Sequence, residues 1–152
     1  MHGMLRLLLA LSLSLSASAA DLVLSGTWAG AKPELPAAGP VVLAMYDRNG
    51  TCCGGPAAAL AGLANLRAAL PAVGGPVLVA VDVTAGATPE QATAAASLHR
   101  TDGIPLLVDP ARATAAGLGV TLDMTMTYVV RKADGGIEVV HSPAQVRRKL
   151  GT

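Results

Sequence analysis

The chain has 152 residues, room for one domain. Hydrophobic residues make up 52% and charged residues 14%, and there is no Phe, so a core has to be built from Leu, Val and Ala around the few rings of Trp28, Tyr46 and Tyr128. A formal charge of +1, no basic run longer than Arg147-Arg148-Lys149 and almost no rings on which bases could stack argue against nucleic acid as a partner.

The first twenty residues are a different material. Arg6 gives a positive start, "LLLALSLSLSASA" follows as an uncharged apolar run, and Ala17-Ser18-Ala19 supplies the small residues a signal peptidase needs. Ser12, Ser14 and Ser16 interrupt the run and leave it too short to cross hydrocarbon comfortably. The pattern predicts a cleaved signal over residues 1–20 and a single domain over 21–152, periplasmic or secreted and without a stable membrane span after cleavage. In that compartment cysteines are open to oxidation.

Along the remaining chain, Asp21-Leu24 reads as a short strand, followed by the Pro/Gly-rich connection "GTWAGAKPELPAAGP". Val41-Val-Leu-Ala-Met-Tyr46 is apolar without alternation, as expected of a strand covered on both faces. Asp47-Arg-Asn-Gly50 breaks it, Pro56 fits a first helical turn, and Leu60, Leu63, Leu66 and Leu70 recur at helical spacing before Pro71. Val77 to Val83 is a second continuous apolar strand. Thr88-Pro89-Glu90 opens a helix that runs to about His99, with a capping residue, an N1 proline and an early carboxylate. Ile104 to Val108 reads as a short strand, and Asp109-Pro110 as the start of a short helix ending at Gly117 or Gly119. Thr125 to Val130, a turn through Asp134-Gly135-Gly136, and Ile137 to Val140 predict a hairpin; Ser142-Pro143 caps a terminal helix. Strands alternating with helices and closed by a hairpin predict an α/β fold with a central mixed sheet.

The two cysteines stand side by side in "TCCGGPAAAL", at the predicted join of a strand and a helix. They are a reactive pair, part of a metal site, or two small apolar neighbours. Adjacent cysteines cannot staple distant segments, so architecture is not their use. A helix N-terminus favours a thiolate through its partial positive charge and free N–H groups, which Gly54 and Gly55 leave unobstructed. Each cysteine is the other's only possible partner, in an eight-membered ring that closes only with a strained peptide.

Three stretches together resemble the thioredoxin fold, and within it the secreted TlpA/ResA and AhpC/TSA (redoxin) group. "GPVVLAMYDRNGTCCGGPAAALAGL" is similar to that group's strand, active-site turn and first helix. "VLVAVDVTAGATPEQATAAASLHRTDGIPLLVDPARATAAGLGV" is similar to its helix insertion, and "TMTYVVRKADGGIEVV" to its closing hairpin. The resemblance implies helices on both faces of the sheet and thiol-disulfide exchange with a protein thiol or disulfide substrate, Cys53 being the attacking residue and Cys52 its partner. The motif is a degenerate Cys-x-x-Cys: with Cys53 first, Pro56 occupies the place of the second cysteine, and in the alternative register with Cys52 first, Gly55 does; nor does a proline stand at Met124-Thr125, where the group's cis-proline belongs. The Pro-x-x-x-Thr-x-x-Cys pattern of the peroxidases is not matched, which argues against peroxidase activity. No cofactor is implied.

Two readings of other classes stand beside this one. A fold keeps its shape after losing its chemistry, which would leave a redox-inactive binding module. The stretch "DMTMT" resembles the Asp-His-Ser/Thr-like stretch of the copper-handling Sco proteins with Met124 in place of His. Met124 and Met126 project to one face of a strand, so Cys52, Cys53, Met124 and Met126 form a candidate soft Cu(I) site, against ordinary core filling by the two methionines. His99 and His141 read as solvated terminus residues, and Asp82 as a turn residue or a buried carboxylate near the site. Hydrolase order, a phosphate loop and paired catalytic carboxylates are not found.

Overall fold

The computed structural model describes residues 22–152. The expected signal over 1–20, and Asp21, lie outside the described residues. The described elements run β1 (Thr27–Trp28), β2 (Val41–Tyr46), α1 (Gly55–Ala69), β3 (Val77–Asp82), α2 (Pro89–Leu98), β4 (Leu106–Val108), α3 (Ala113–Leu118), β5 (Met126–Arg131), β6 (Ile137–Val140) and α4 (Pro143–Leu150).

One sheet carries the order β1-β4-β3-β2-β5-β6. The two apolar runs without alternation occupy its middle: β2 pairs in parallel with β3 from Val41 opposite Val77 to Tyr46 opposite Asp82, and antiparallel with β5. A parallel pair needs a crossover, which α1 supplies between β2 and β3. Every residue of β2 is buried because both faces are covered. On one face Val42, Ala44 and Tyr46 pack with Leu60, Leu63 and Leu66 of α1, and Val146 of α4 joins the same cluster. Each fully buried leucine contributes roughly 1.5–3 kcal/mol. On the other face Val41, Leu43 and Met45 meet Ala115 of α3, with Leu22, Leu24, Trp28 and Leu35 closing the layer.

Helix starts follow the expected chemistry. Thr88 caps α2 in a capping box with Gln91 and Pro89 in the first turn, and Ser142 caps α4 by accepting from the Gln145 N–H at 3.2 Å. Three expectations are corrected. Leu22 to Leu24 form no strand; the first strand is β1, two residues inside the Pro/Gly-rich connection, held by antiparallel pairing with β4. The short helix begins at Ala113 rather than at Asp109-Pro110, because Asp109, buried, caps from upstream by accepting from the N–H groups of Ala113 at 3.1 Å and Thr114 at 2.9 Å. Leu70 ends α1 as its C-cap instead of lying within it.

Candidate functional site

The site grows from the end of β2. Beyond Tyr46 the chain turns at Asp47, whose N–H donates to the Thr125 carbonyl at 3.0 Å and whose carbonyl accepts from the Gly50 N–H at 3.0 Å. Gly50 lies so close to Thr125 that a Cβ there would stand 2.7 Å from the threonine hydroxyl oxygen. That hydroxyl donates to the Cys52 carbonyl at 2.7 Å, and the same carbonyl accepts from the Gly55 N–H at 3.0 Å. The loop before β5 thereby holds the cysteine turn in place.

Cys52 and Cys53 are joined to each other as a disulfide, with Cα atoms 3.8 Å apart. Three successive residues have positive φ: Cys53 at 63°, Gly54 at 91° and Gly55 at 73°. Glycine takes that region without steric cost, whereas at Cys53 the left-handed backbone costs about 1–2 kcal/mol. Gly54 is required twice over, since a Cβ there would also meet Ala58 Cβ at 2.8 Å. Gly54 is the N-cap of α1, and Pro56 follows in its first turn. The two sulfur-bearing residues differ in setting, Cys53 being exposed and Cys52 half-buried.

Met124 places its Sδ 3.8 Å from Cys52 Sγ. Cys52, bonded to Cys53, has no S–H to donate, so this is van der Waals contact between polarizable atoms. Met126 is buried and belongs to the cluster that holds Leu60 and Leu63. A cavity of about 130 Å³ adjoins the disulfide between α1, β5 and α4, and Cys53, Met124, Met126, Tyr128 and His141 all line it. His141 thus borders the site, beyond the solvated role expected of it; His99 is the C-cap of α2.

Beneath the turn lies a charged pair that sequence patterning only half revealed. Asp82, fully buried at the end of β3, accepts from Arg48 Nε at 2.7 Å and from the Thr84 N–H at 3.0 Å. The Arg48 N–H donates to Thr84 Oγ1 at 2.8 Å, closing the arrangement. Tyr46 Oη and Arg48 Nη2 are buried with no hydrogen-bond partner among the described residues. Burial, reinforced by the Asp82 carboxylate, pushes the Tyr46 phenol well above its usual value; Arg48 opposes the shift weakly. Burial alone raises Tyr128 as strongly. Asp47 makes a second, more exposed pair with Arg112 Nη2 at 2.9 Å.

The structure therefore brings Cys52, Cys53 and Met124 together and puts Met126 at the inner wall of the adjoining cavity. Among the described residues no group of three or more His, Cys, Asp or Glu side chains is disposed to hold a metal ion, and no helix is long and apolar enough to cross a membrane. Sequence reasoning missed Thr125, Arg48, Tyr128 and Gly62. The available signal for Arg48 was a lone cation inside the turn that follows a buried strand, two residues beyond its end.

No family model and no curated protein sequence matches the chain. Solved structures do match its shape. DsbF of MTB, described in mixed oxidized and reduced forms, aligns at 17% identity and a TM-score of 0.55 over 74% of this chain and 79% of its own. A secreted Mycobacterium tuberculosis disulfide oxidoreductase homologous to E. coli DsbE aligns at 19% identity and 0.54, covering 74% and 81%. StoA from Bacillus subtilis aligns at 13% identity and 0.52, covering 72% and 81%. The fold is thioredoxin-like, an α/β mixed sheet between helices.

Proposed function

We propose that the protein is an extracytoplasmic thiol-disulfide oxidoreductase-like protein that acts on protein thiols or disulfides through Cys53, with Cys52 as the resolving partner. The observation that carries this reading is the pairing of the two cysteines with unequal exposure, Cys53 open and Cys52 half-buried against Met124. The expected signal over residues 1–20 and the secreted neighbour support the location.

In the reduced protein a thiolate at Cys53 is favoured by the N-terminal end of α1, whose N–H groups and partial positive charge lie just beyond Gly54. That thiolate attacks one sulfur of a substrate disulfide and expels the other as a thiolate. Cys52 then attacks Cys53 Sγ, re-forming the Cys52–Cys53 bond and releasing the second substrate thiolate. The substrate gains two electrons and the protein loses two; oxidation of a substrate dithiol is the same path reversed. Thr125 holds the Cys52 carbonyl throughout and so keeps the turn in register. The test is alkylation of the reduced protein at graded pH with mass spectrometry: Cys53 modified well below the free-thiol value of ~8.5 supports the reading. Reactivity of neither cysteine below that value replaces it with a redox-inactive binding module.

The 3.8 Å approach of Met124 Sδ to Cys52 Sγ favours one second reading, Cu(I) binding by the reduced pair with Met124. Two sulfurs share a metal if they lie within about twice a bond of ~2.3 Å, the zinc-thiolate value serving as guide, and this pair does. Met126, buried with the leucines, is the less accessible of the four expected donors.

A further inference from the structure

In α1, seven of fifteen residues are alanine and one interior residue, Gly62, is glycine. Glycine is the poorest helix former after proline, and it earns its place only where φ is positive or space is lacking. Neither holds for Gly62. Its φ is not among the positive ones, and a Cβ there would meet Pro143 Cγ at 3.4 Å and Tyr128 Oη at 3.8 Å, ordinary contact distances. An alanine would fit and would strengthen the helix. What a methyl group would take away is room in the cavity beside the disulfide, which Gly62 lines.

That cavity has an inside and an outside. Met126 and Tyr128, both buried, form its inner wall; Cys53 and His141, both exposed, mark its solvent side. At about 130 Å³ it is on the scale of one side chain, since an apolar cavity of ~150 Å³ accepts benzene. Its walls are mainly methionine thioether, alanine methyl and the rings of Tyr128 and Pro143, with Thr125 and His141 as polar members. Because Cys53 is itself a lining residue, whatever is joined to Cys53 stands at the opening.

We propose that this cavity is a specificity pocket that receives an aliphatic side chain, of leucine or methionine size, next to the cysteine of a polypeptide substrate, and that Gly62 keeps it open. The inference rests on Cys53 being the exchanging sulfur. Covalent capture fixes the occupant: the substrate thiolate bonds to Cys53 Sγ, Cys52 leaves as thiolate, and the neighbouring substrate residue comes within reach of the opening. A second substrate thiolate then attacks the mixed disulfide and expels Cys53 as thiolate, so that two substrate thiols become one disulfide, their two protons pass to the Cys52 and Cys53 thiolates, and both protein cysteines end reduced.

The experiment uses the oxidised full-length protein and reduced tetrapeptides of sequence Gly-Xaa-Cys-Gly and Gly-Cys-Xaa-Gly, with Xaa as Gly, Leu, Met or Asp, and glutathione alongside. The rate of reduction of the Cys52–Cys53 bond is followed by mass spectrometry. In at least one placement Leu and Met peptides react ~10-fold or more faster than the Gly peptide, the discrimination expected when an apolar pocket is filled. Gly62→Ala, checked by a melting curve at least as high as the parent's, lowers that ratio severalfold. Equal rates for all peptides, a faster reaction with glutathione than with every peptide, or an unchanged ratio in Gly62→Ala overturns the pocket while leaving the exchange reaction standing. No reduction by any thiol removes the exchange reaction, and the pocket's substrate with it.

Discussion

The hydroxyl of Thr125 donates to the carbonyl of Cys52 at 2.7 Å, linking residues 73 positions apart. Thr125→Val removes this bond at nearly constant shape, and the Gly55 N–H still satisfies the carbonyl. The expected cost is therefore that of one ordinary hydrogen bond, ~1 kcal/mol. Gly50→Ala should cost more, because its new Cβ would displace the threonine. Denaturant unfolding measures both; a Thr125→Val variant as stable as the parent would show that the clamp contributes nothing.

Arg48 and Asp82 make the strongest stability prediction. Arg48→Met leaves a fully buried carboxylate with only the Thr84 N–H to accept from, and loss of one partner of a buried pair costs about 3–5 kcal/mol. The double variant Arg48→Met with Asp82→Leu removes both charges and should recover most of that loss. Equilibrium unfolding of the singles and the double decides; a double variant no more stable than the worse single contradicts the coupling.

Two tyrosines predict an alkaline limit. Tyr46 and Tyr128 are both raised above the usual phenol value of 10.0, chiefly by burial. The unfolded chain therefore gives up these protons at a lower pH than the folded one. Their contribution to stability is complete below about pH 10 and is lost as the pH climbs toward the folded values. Phenolate absorbance should stay flat above pH 10 and rise only together with the loss of far-ultraviolet circular dichroism. A separate phenolate step in a protein still folded would contradict the burial of both rings.

The cysteines should not be equivalent. In Cys52→Ser, exposed Cys53 forms a mixed disulfide with a small thiol reagent that persists for want of a resolving partner. In Cys53→Ser, half-buried Cys52 reacts more slowly, shielded by Met124. Timed quenching and mass spectrometry compare the rates, and equal rates would remove the assignment of Cys53 as the exchanging sulfur.

Copper separates the second reading from the first. If the reduced pair and Met124 hold Cu(I), Met124→Leu weakens binding in a competition titration and leaves Cys53 alkylation nearly unchanged. Failure of the reduced parent to compete for Cu(I) ends that reading.

Much of the architecture was legible because it is written in local pattern. The unbroken apolar runs of β2 and β3 demanded cover on both faces, the spacing of Leu60, Leu63 and Leu66 gave α1 its buried side, and Thr88-Pro89 and Ser142-Pro143 marked helix starts. The exceptions are held together by partners remote in sequence. Two-residue β1 exists because β4 pairs with it, and α3 starts late because Asp109 caps it from outside. The site divides the same way. Its cysteines stood out in the sequence, whereas the grip of Thr125 and the Arg48–Asp82 pair arise only when β2, β3 and β5 lie side by side, and the space at Gly62 only when α1 and α4 pack over β5. A periodicity argument sees one segment at a time and has no access to such contacts.

The antiparallel pairing of β2 with β5 also sets an order of events as the chain emerges and folds. The cysteine turn is synthesised some 72 residues ahead of Met124, and the strand that completes the sheet beside β2 comes later still. Chains are made N-terminus first, and pairings this far apart form slowly. Throughout that interval the two thiols have neither the thioether beside them nor the threonine clamp above them. The incompletely folded protein is therefore more open to stray thiol chemistry than the finished one, and a chain stopped before Met124 would carry its cysteines without their shelter.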